Sequence, residues 1–181
     1  FSSLHTDATL ILMEELEKAG VTGYVGKVNM DRNGGENLQE STEESKRETI
    51  RWLDACGNFK HIKPMLTPRF IPSCTDEVMT FLGKIAKERN LPMQSHISEN
   101  DKEIEWVREL HPDCERYWET YAKFGLWDER TVMAHCVWST EEEVELMRKN
   151  GVFVAHCPAS NMNLTSGIAP IRKYLDRGLH I

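Results

Sequence analysis

Short apolar segments alternate along this chain with segments of helical periodicity, and this alternation restricts the fold more than any other feature. The predicted strands are YVGKVN (24–29), HIKPML (61–66), PMQSHI (92–97), TVMAHCV (131–137) and VFVAHC (152–157), with GLHI (178–181) beginning another. Apolar residues between them recur at spacings of three and four, as in Ile168, Ile171 and Leu175, which predicts one apolar helix face. Strands that alternate with helices predict βαβ units and a parallel sheet.

Helix boundaries are indicated by capping patterns. Ser41 with Glu44, and Ser139 with Glu142, have the spacing of a capping box, so a helix is expected to begin after each serine. Helix ends are marked by glycines that directly precede a predicted strand, namely Gly20, Gly151 and Gly178.

Two architectures contain such a sheet, the doubly wound open sheet and the (β/α)₈ barrel. No glycine-rich phosphate loop follows any predicted strand, which disfavours the dinucleotide-binding form of the open sheet. A complete barrel needs about 250 residues, so 181 residues supply part of one. The chain begins at Phe1 rather than methionine and stops at RGLHI, so we expect residues 1–181 to be one α/β domain truncated at both ends.

Composition excludes several classes of function. The chain has 29 acidic and 22 basic side chains and a net charge of −7, which argues against a nucleic-acid or anionic-membrane surface. The longest apolar run, LILM at 10–13, is far too short to span a bilayer. Five cysteines without CxxC spacing predict neither a disulfide framework nor a thiolate zinc site, so a reducing cytoplasm is expected. Cys136 and Cys157 lie in apolar runs and are interpreted as small buried residues.

Polar side chains follow successive predicted strands at their carboxyl ends: Arg69, His96, His135 and His156. That edge collects ligands and catalytic groups in parallel sheets and barrels. Neighbouring strands lie about 4.8 Å apart, so His96 and His135 can reach one metal ion at about 2.0–2.1 Å per nitrogen. The alternative for each histidine is a packed, hydrogen-bonded side chain. His156 precedes a Cys-Pro pair, which favours a structural turn there.

Glu99 and the TPRF segment complete the set of candidate site residues. Glu99 follows His96 by three residues and could accept a proton from a metal-activated water, or it could simply favour the positive end of the next helix. Arg69 offers a planar fork to a carbonyl or ring-nitrogen edge, and Phe70 could stack on a flat substrate. The alternatives are a surface salt bridge for Arg69 and a core position for Phe70. The remaining histidines are interpreted as structural: His5, His61, His111 and His180.

Several motifs together resemble the guanine deaminase family, in the metal-dependent deaminase branch of the amidohydrolase superfamily. They are HIKPMLTPRFIPSC (61–74), LPMQSHISEN (91–100), TVMAHCVWS (131–139) and AHCPASNMNLTSG (155–167), with SSLHTDAT (2–9) and GKVNMDRN (26–33) in support. HCPxSN segments occur in many members of the superfamily. TPRF with QSHISEN and VNMDRN is more specific and indicates guanine as the substrate.

The resemblance implies hydrolytic deamination of guanine to xanthine and ammonia in purine catabolism, by a cytoplasmic enzyme that is a homodimer at full length. It implies a metal centre containing His96 and His135, with Zn²⁺ expected and Fe²⁺ as the alternative, and Glu99 as the proton shuttle. It assigns Arg69 and Phe70 to purine binding. The fold it implies is an incomplete (β/α)₈ TIM barrel of the amidohydrolase type, covering about strands 3 to 7 and the start of strand 8.

The chain departs from the family pattern in two places. The HxH metal pair of the first barrel strand and the aspartate that ends the eighth are absent. We therefore expect the parent protein to be an enzyme and this segment alone to be inactive. Two rivals remain: an amidohydrolase acting on another aminated ring, such as a pterin, triazine, cytosine or adenosine-like substrate, and a non-catalytic barrel remnant. The unrelated zinc deaminases with a PCxxC motif are excluded because CxxC is absent.

Overall fold

The computed structural model describes residues 2–35 and 38–181. The turn-rich sequence MDRNGGENLQ (30–39) predicts a surface loop, and two of its residues lie outside that description. The chain forms two compact units. The first contains the chain up to Arg69 together with Ser73–Pro92, and the second contains Phe70–Pro72 and Met93–Ile181. Each unit contains its own parallel sheet and helices. Among the described residues, no helix combines the length and apolar character needed to cross a membrane.

The first unit is built around a long central strand. Its strands are β1 (Ser2–Ser3), β2 (Gly23–Asn29), β3 (Ile62–Pro64) and β4 (Thr67–Pro68). β2 pairs in parallel with each of the other three. Its helices are α1 (Thr6–Lys18), α2 (Thr42–Ala55) and α3 (Asp76–Arg89). The predicted strands 24–29 and 61–66 are confirmed as strands, whereas β1 and β4, with two residues each, are too short to show a periodicity and were not predicted.

The second unit contains a parallel sheet in the order β5, β6, β7. Its strands are β5 (Met93–Ile97), β6 (Thr131–His135) and β7 (Phe153–Ala155). Its helices are α4 (Asp101–Leu110), α5 (Tyr117–Lys123), α6 (Glu141–Asn150), α7 (Pro158–Asn163) and α8 (Ile171–Asp176). The three predicted strands are confirmed but shorter than predicted. The predicted start of another strand is reduced to one parallel bridge between Phe153 and His180.

One predicted helix start is confirmed and the other is wrong by one residue. The Ser41 hydroxyl accepts the Glu44 N–H at 3.2 Å, as predicted. The cap of α6 is Thr140, whose hydroxyl accepts the Glu143 N–H at 3.2 Å, rather than Ser139. The STEEE sequence contains two overlapping pairs with the same spacing, so spacing alone does not distinguish them.

The predicted apolar face of the last helix is wrong. α8 begins only at Ile171, after Pro170, so Ile168 lies outside the helix, with 86% of its surface exposed. Leu175 is also exposed, by 53%. The buried contact is made by Tyr174, which is 1% exposed and donates its hydroxyl hydrogen to the Cys136 carbonyl at 2.6 Å.

The VNMDRN motif forms a buried polar network in the first unit. The Asn29 side-chain N–H₂ group donates to the Ser45 hydroxyl at 2.8 Å. The Asp31 carboxylate accepts the Thr42 hydroxyl hydrogen at 2.7 Å and both the N–H and the hydroxyl hydrogen of Thr75, at 2.8 and 2.6 Å. Because Thr42 begins α2 and Thr75 caps α3, this network ties the end of β2 to two helix starts.

Candidate active site

His96 and His135 lie beside each other on neighbouring strands of the second unit. β5 and β6 are parallel, with His96 opposite Ala134 and Ile97 opposite His135. The centroids of the two imidazole rings are 4.9 Å apart, and the rings are nearly perpendicular, at 85°. His135 is 5% exposed, and His96 is half-buried. The two histidines that the sequence placed at one sheet edge are therefore close together.

An unusual backbone conformation at His135 brings the rings together. In a regular ladder His135 would lie on the same face as its partner Ile97, opposite to His96. The chain instead adopts a left-handed conformation at His135 (φ 73°) and at Cys136 (φ 49°). Rotation about the N–Cα bond redirects the Cα–Cβ bond of His135. Left-handed conformations outside glycine cost about 1 kcal/mol or more and cluster at functional sites.

Glu99 lies in the turn that follows β5, with its carboxylate near the His135 ring. Its Oε1 atom is 3.6 Å from Nδ1 of His135 and accepts the Ser166 hydroxyl hydrogen at 3.1 Å. Its backbone N–H donates to Oε2 of Glu103 at 2.9 Å. The side chain is 15% exposed. A carboxylate with this degree of burial beside an imidazole is suited to accept and return a proton.

Two buried carboxylates hold the turn that carries Glu99, and sequence reasoning did not identify either of them. Glu103 accepts the Glu99 N–H and also the Tyr117 hydroxyl hydrogen at 2.6 Å. Glu143 accepts the hydroxyl hydrogen of Ser98 at 2.9 Å, and Ser98 itself is left-handed with φ 50°. Both glutamates lie in the first turn of a helix, where acidic residues are usually solvated, so the sequence carries no signal of their burial.

Burial raises the pKa of the Glu143 carboxyl above its usual value of 4.5. The folded state then binds this proton more tightly than the unfolded state, so stability falls as the pH rises from about 4.5 through the raised pKa. Because a glutamine side chain cannot ionise, Glu143→Gln is expected to be more stable than the wild type at pH 7 and to lose that advantage near pH 4. Urea unfolding at a series of pH values measures this difference. The exposed Glu142→Gln is the control, and a Glu143→Gln variant that is less stable at pH 7 would contradict the prediction.

Phe70 and Arg69 fall in different units. Phe70 is half-buried in the second unit, with its ring centroid 6.4 Å from that of His96 and 6.2 Å from that of Trp106. Arg69 is exposed in the first unit, where a guanidinium N–H donates to the Met30 sulfur at 3.1 Å and its backbone N–H donates to the Asn29 carbonyl. Phe70 is therefore an aromatic neighbour of His96 rather than a fully buried core residue.

The remaining candidate groups include His156, His111 and the five cysteines. His156 follows β7 and is exposed. His111 is 2% exposed and packs edge-on against Phe124, as expected of a structural histidine. Cys136 is fully buried, and burial raises the pKa of its thiol well above the usual value, whereas Cys157 is only partly buried. All five cysteines are free thiols.

The side chains of this cluster fit part of a zinc site. Imidazole nitrogens are preferred zinc ligands, and Glu99 lies where a carboxylate could act on a water beside the ion. In residues 2–35 and 38–181, no group of three or more His, Cys, Asp or Glu side chains is placed to hold a metal. The described residues thus offer two histidine side chains of a suitable ligand type.

Comparison with known proteins places this geometry in a family. The model of the Amidohydrolase family matches residues 2–181. The chain is 41% identical to the guanine deaminase of Dictyostelium discoideum and 43% identical to that of Mus musculus, in each case over 100% of this chain and 41% and 40% of the relative. A crystal structure of guanine deaminase from C. acetobutylicum with bound guanine superposes with a TM-score of 0.93, at 45% identity, over 98% of this chain and 43% of that one.

These matches cover this chain and its relatives to different extents. They include essentially the whole of this chain, which spans only about 40% of the length of the curated relatives. The predicted resemblance and the α/β fold of the amidohydrolase type are confirmed. The family model matches nearly every residue, and so the chain belongs to the amidohydrolase family.

Proposed function

We propose that the protein containing this chain hydrolyses guanine to xanthine and ammonia. The observation that supports this most directly is the cluster of Glu99, His135 and His96 at the end of two neighbouring strands. It occurs in a chain whose similarity to guanine deaminases extends over its full length. A carboxylate beside paired imidazoles is the arrangement that metal-assisted hydrolysis of an aminated ring requires.

In this proposal each residue of the cluster has a distinct task. His96 and His135 would hold a divalent metal, which when bound supplies Lewis-acid activation of the attacking water. Glu99 accepts one proton from that water and delivers it to a purine ring nitrogen while the water oxygen bonds to the amino-bearing carbon. Glu99 then transfers the remaining proton of that oxygen to the amino group, and the C–N bond breaks, so that guanine and water become xanthine and ammonia. Phe70 would pack against the purine face, and Arg69 would bind its edge.

Several finer features belong to the same proposal. The metal is expected to be Zn²⁺, with Fe²⁺ as the alternative, because imidazole and carboxylate donors suit both. The chain would correspond to about strands 3 to 7 and the start of strand 8 of an incomplete TIM barrel. In the family, the metal site is completed by the HxH histidine pair of the first barrel strand and by the aspartate that ends the eighth strand. Both would come from the remainder of the protein. A homodimer, a cytoplasmic location and a role in purine catabolism are further expectations from the resemblance.

A substrate comparison on the full-length protein that contains this chain tests the proposal. We expect xanthine and ammonia to form from guanine, with kcat/KM at least tenfold higher than for a pterin, a triazine, cytosine or adenosine. Xanthine is measured by its ultraviolet absorbance and ammonia by a coupled assay. A preference for one of the other rings would support the first rival. No turnover of any ring by metal-loaded protein would support the non-catalytic remnant.

A further inference from the structure

We propose that two residues of the segment 161–166, one near the end of α7 and one in the turn after it, position His135 and Glu99. Asn161 orients the His135 imidazole, and Ser166 orients the Glu99 carboxylate. The catalytic meaning of this assignment rests on the proposed function. The prediction of which His135 ring nitrogen carries the proton does not rest on the proposed function, because it follows from the hydrogen-bond contacts alone.

Asn161 is a buried partner of the His135 ring. Its side-chain Oδ1 lies 2.7 Å from Nδ1 of His135, and the residue is 1% exposed. A carboxamide oxygen only accepts hydrogen bonds, so this contact requires a proton on Nδ1. A hydrogen bond to one ring nitrogen determines which nitrogen is left to bind a metal or to act on a substrate.

The charge of Glu99 favours the same proton position. Its Oε1 atom is 3.6 Å from the same Nδ1 atom. A lone pair on Nδ1 would face a carboxylate at this distance and be repelled, whereas an N–H dipole is attracted. The amide oxygen and the carboxylate therefore both favour the Nδ1–H form of His135, which leaves the Nε2 lone pair free for a ligand.

Ser166 performs the corresponding task for Glu99. Its hydroxyl donates to Oε1 of Glu99 at 3.1 Å, which fixes the carboxylate on the side of His135. The Ser166 carbonyl accepts the indole N–H of Trp138 at 2.8 Å, so the serine is itself held in place. Ser166 is 5% exposed, and hydrogen bonds to a charged carboxylate in a buried setting are stronger than those on the surface.

The segment is closed on itself by a backbone hydrogen bond. The Ser166 N–H donates to the Asn161 carbonyl at 2.8 Å, which links the two positioning residues directly. Thr165 within this turn has φ 55°, a left-handed conformation that only a constrained turn retains. Within the described part of the chain, the buried Asn161 side-chain N–H₂ group has no hydrogen-bond partner. A buried N–H₂ group without a partner carries an uncompensated desolvation cost, which an apolar side chain would avoid. Stability alone therefore does not explain an asparagine at this position.

The proton position is measurable by NMR on the full-length protein that contains this chain, labelled with ¹⁵N-histidine and freed of metal. At about pH 8, where an ordinary imidazole is neutral, long-range ¹H–¹⁵N spectra distinguish the Nδ1–H form from the Nε2–H form. We expect wild-type His135 to be in the Nδ1–H form. Its resonance is identified as the one that is missing from the spectrum of a His135→Gln variant. Asn161→Asp, which keeps the accepting oxygen, is expected to retain this form, and Asn161→Leu is expected to give a mixture.

Kinetics and a matched control complete the test. Asn161→Leu and Ser166→Ala are each expected to lower kcat for guanine about 10–100-fold with little change in KM, whereas Asn161→Asp should recover most of the loss. The control Asn163→Leu changes an exposed residue of the same helix and should alter neither the spectrum nor the rate.

The outcomes separate this inference from the proposed function. A wild-type His135 in the Nε2–H form, or an unchanged spectrum in Asn161→Leu with native circular dichroism, would overturn the positioning role. If instead the tautomer shifts as expected while no variant turns over guanine, the proposed function fails and the structural assignment of Asn161 stands. If Asn161→Leu does not fold, Asn161→Asp and Ser166→Ala decide the question.

Discussion

The substitution Glu99→Gln is expected to lower the guanine turnover of the parent protein about 10²–10⁴-fold, the range that a positioned acid–base group contributes. Glutamine has nearly the same shape as glutamate and can still accept the Ser166 hydroxyl hydrogen, so the turn should remain intact. It cannot accept a proton from water or pass one to the leaving amine. The loss should therefore appear in kcat, with KM for guanine changed by less than about threefold.

A matched variant makes this result specific. Glu105 is exposed on α4 of the same unit, and Glu105→Gln removes the same charge without touching the cluster. It should retain the wild-type rate. Metal content, measured by elemental analysis, should be equal in both variants because Glu99 is not proposed as a ligand. A Glu99→Gln protein that loses its metal, or that keeps more than about a tenth of the rate, would assign Glu99 a different role.

Removal of the Glu40 side chain is expected to have the largest effect on stability. Lys27 is fully buried in β2, and its Nζ donates to Oε2 of Glu40 at 2.8 Å and to the Val28 carbonyl at 3.0 Å. Glu40→Ala leaves the ammonium group buried without its counter-charge, a change that destabilises proteins by about 3–5 kcal/mol. Urea unfolding of the purified chain measures the loss. The pair of the exposed Glu43 with the half-buried Lys46 supplies the control, because Glu43→Ala should cost about 1 kcal/mol or less.

Two further measurements test the cause of that loss. The double variant Lys27→Met with Glu40→Leu removes both charges and is expected to lie within about 1 kcal/mol of the wild type or above it. Burial lowers the pKa of Lys27 from its usual value of 10.5, while Glu40 opposes that shift. Without Glu40 the pKa falls further, so the deficit of Glu40→Ala should shrink as the pH rises toward 10.5. A deficit that is constant with pH would indicate lost packing rather than an unpaired charge.

Periodicity was sufficient to predict the strands β2, β3, β5, β6 and β7, and position at a strand end made His96 and His135 candidates for one site. The run TVMAHCV is almost continuously apolar over a strand's length, and His135 lies near its carboxyl end, so both the strand and the position of the histidine at its end could be predicted. The wrong boundaries lie where two local signals compete. Ser139 and Thr140 offer equivalent caps, and Pro170 delays a helix whose apolar spacing begins at Ile168.

The residues that hold His135 and Glu99 in place could not be predicted from the sequence. Asn161 lies 26 residues from His135, and Ser166 lies 67 residues from Glu99. No periodicity relates positions so far apart, because their contact depends on how β5, β6 and the segment after β7 pack together. The left-handed backbone at His135 could not be predicted from the sequence either. A histidine in an apolar strand ordinarily has extended backbone, so that side chains continue to alternate between the two faces of the sheet.

The sequence by itself determined the alternation of strands with helices and their parallel pairing, and it placed His96 and His135 as candidates at the ends of neighbouring strands. These depend on local patterns of apolar residues and on which side chains follow each strand. The role predicted for Glu99 rests on the resemblance. Only the tertiary structure decided that Glu99 lies beside Nδ1 of His135, that two buried glutamates hold its turn, and that Asn161 selects the ring proton. The physical reason is that burial and hydrogen-bond direction are properties of side chains brought together from distant parts of the chain, and they arise only when the strands and helices pack.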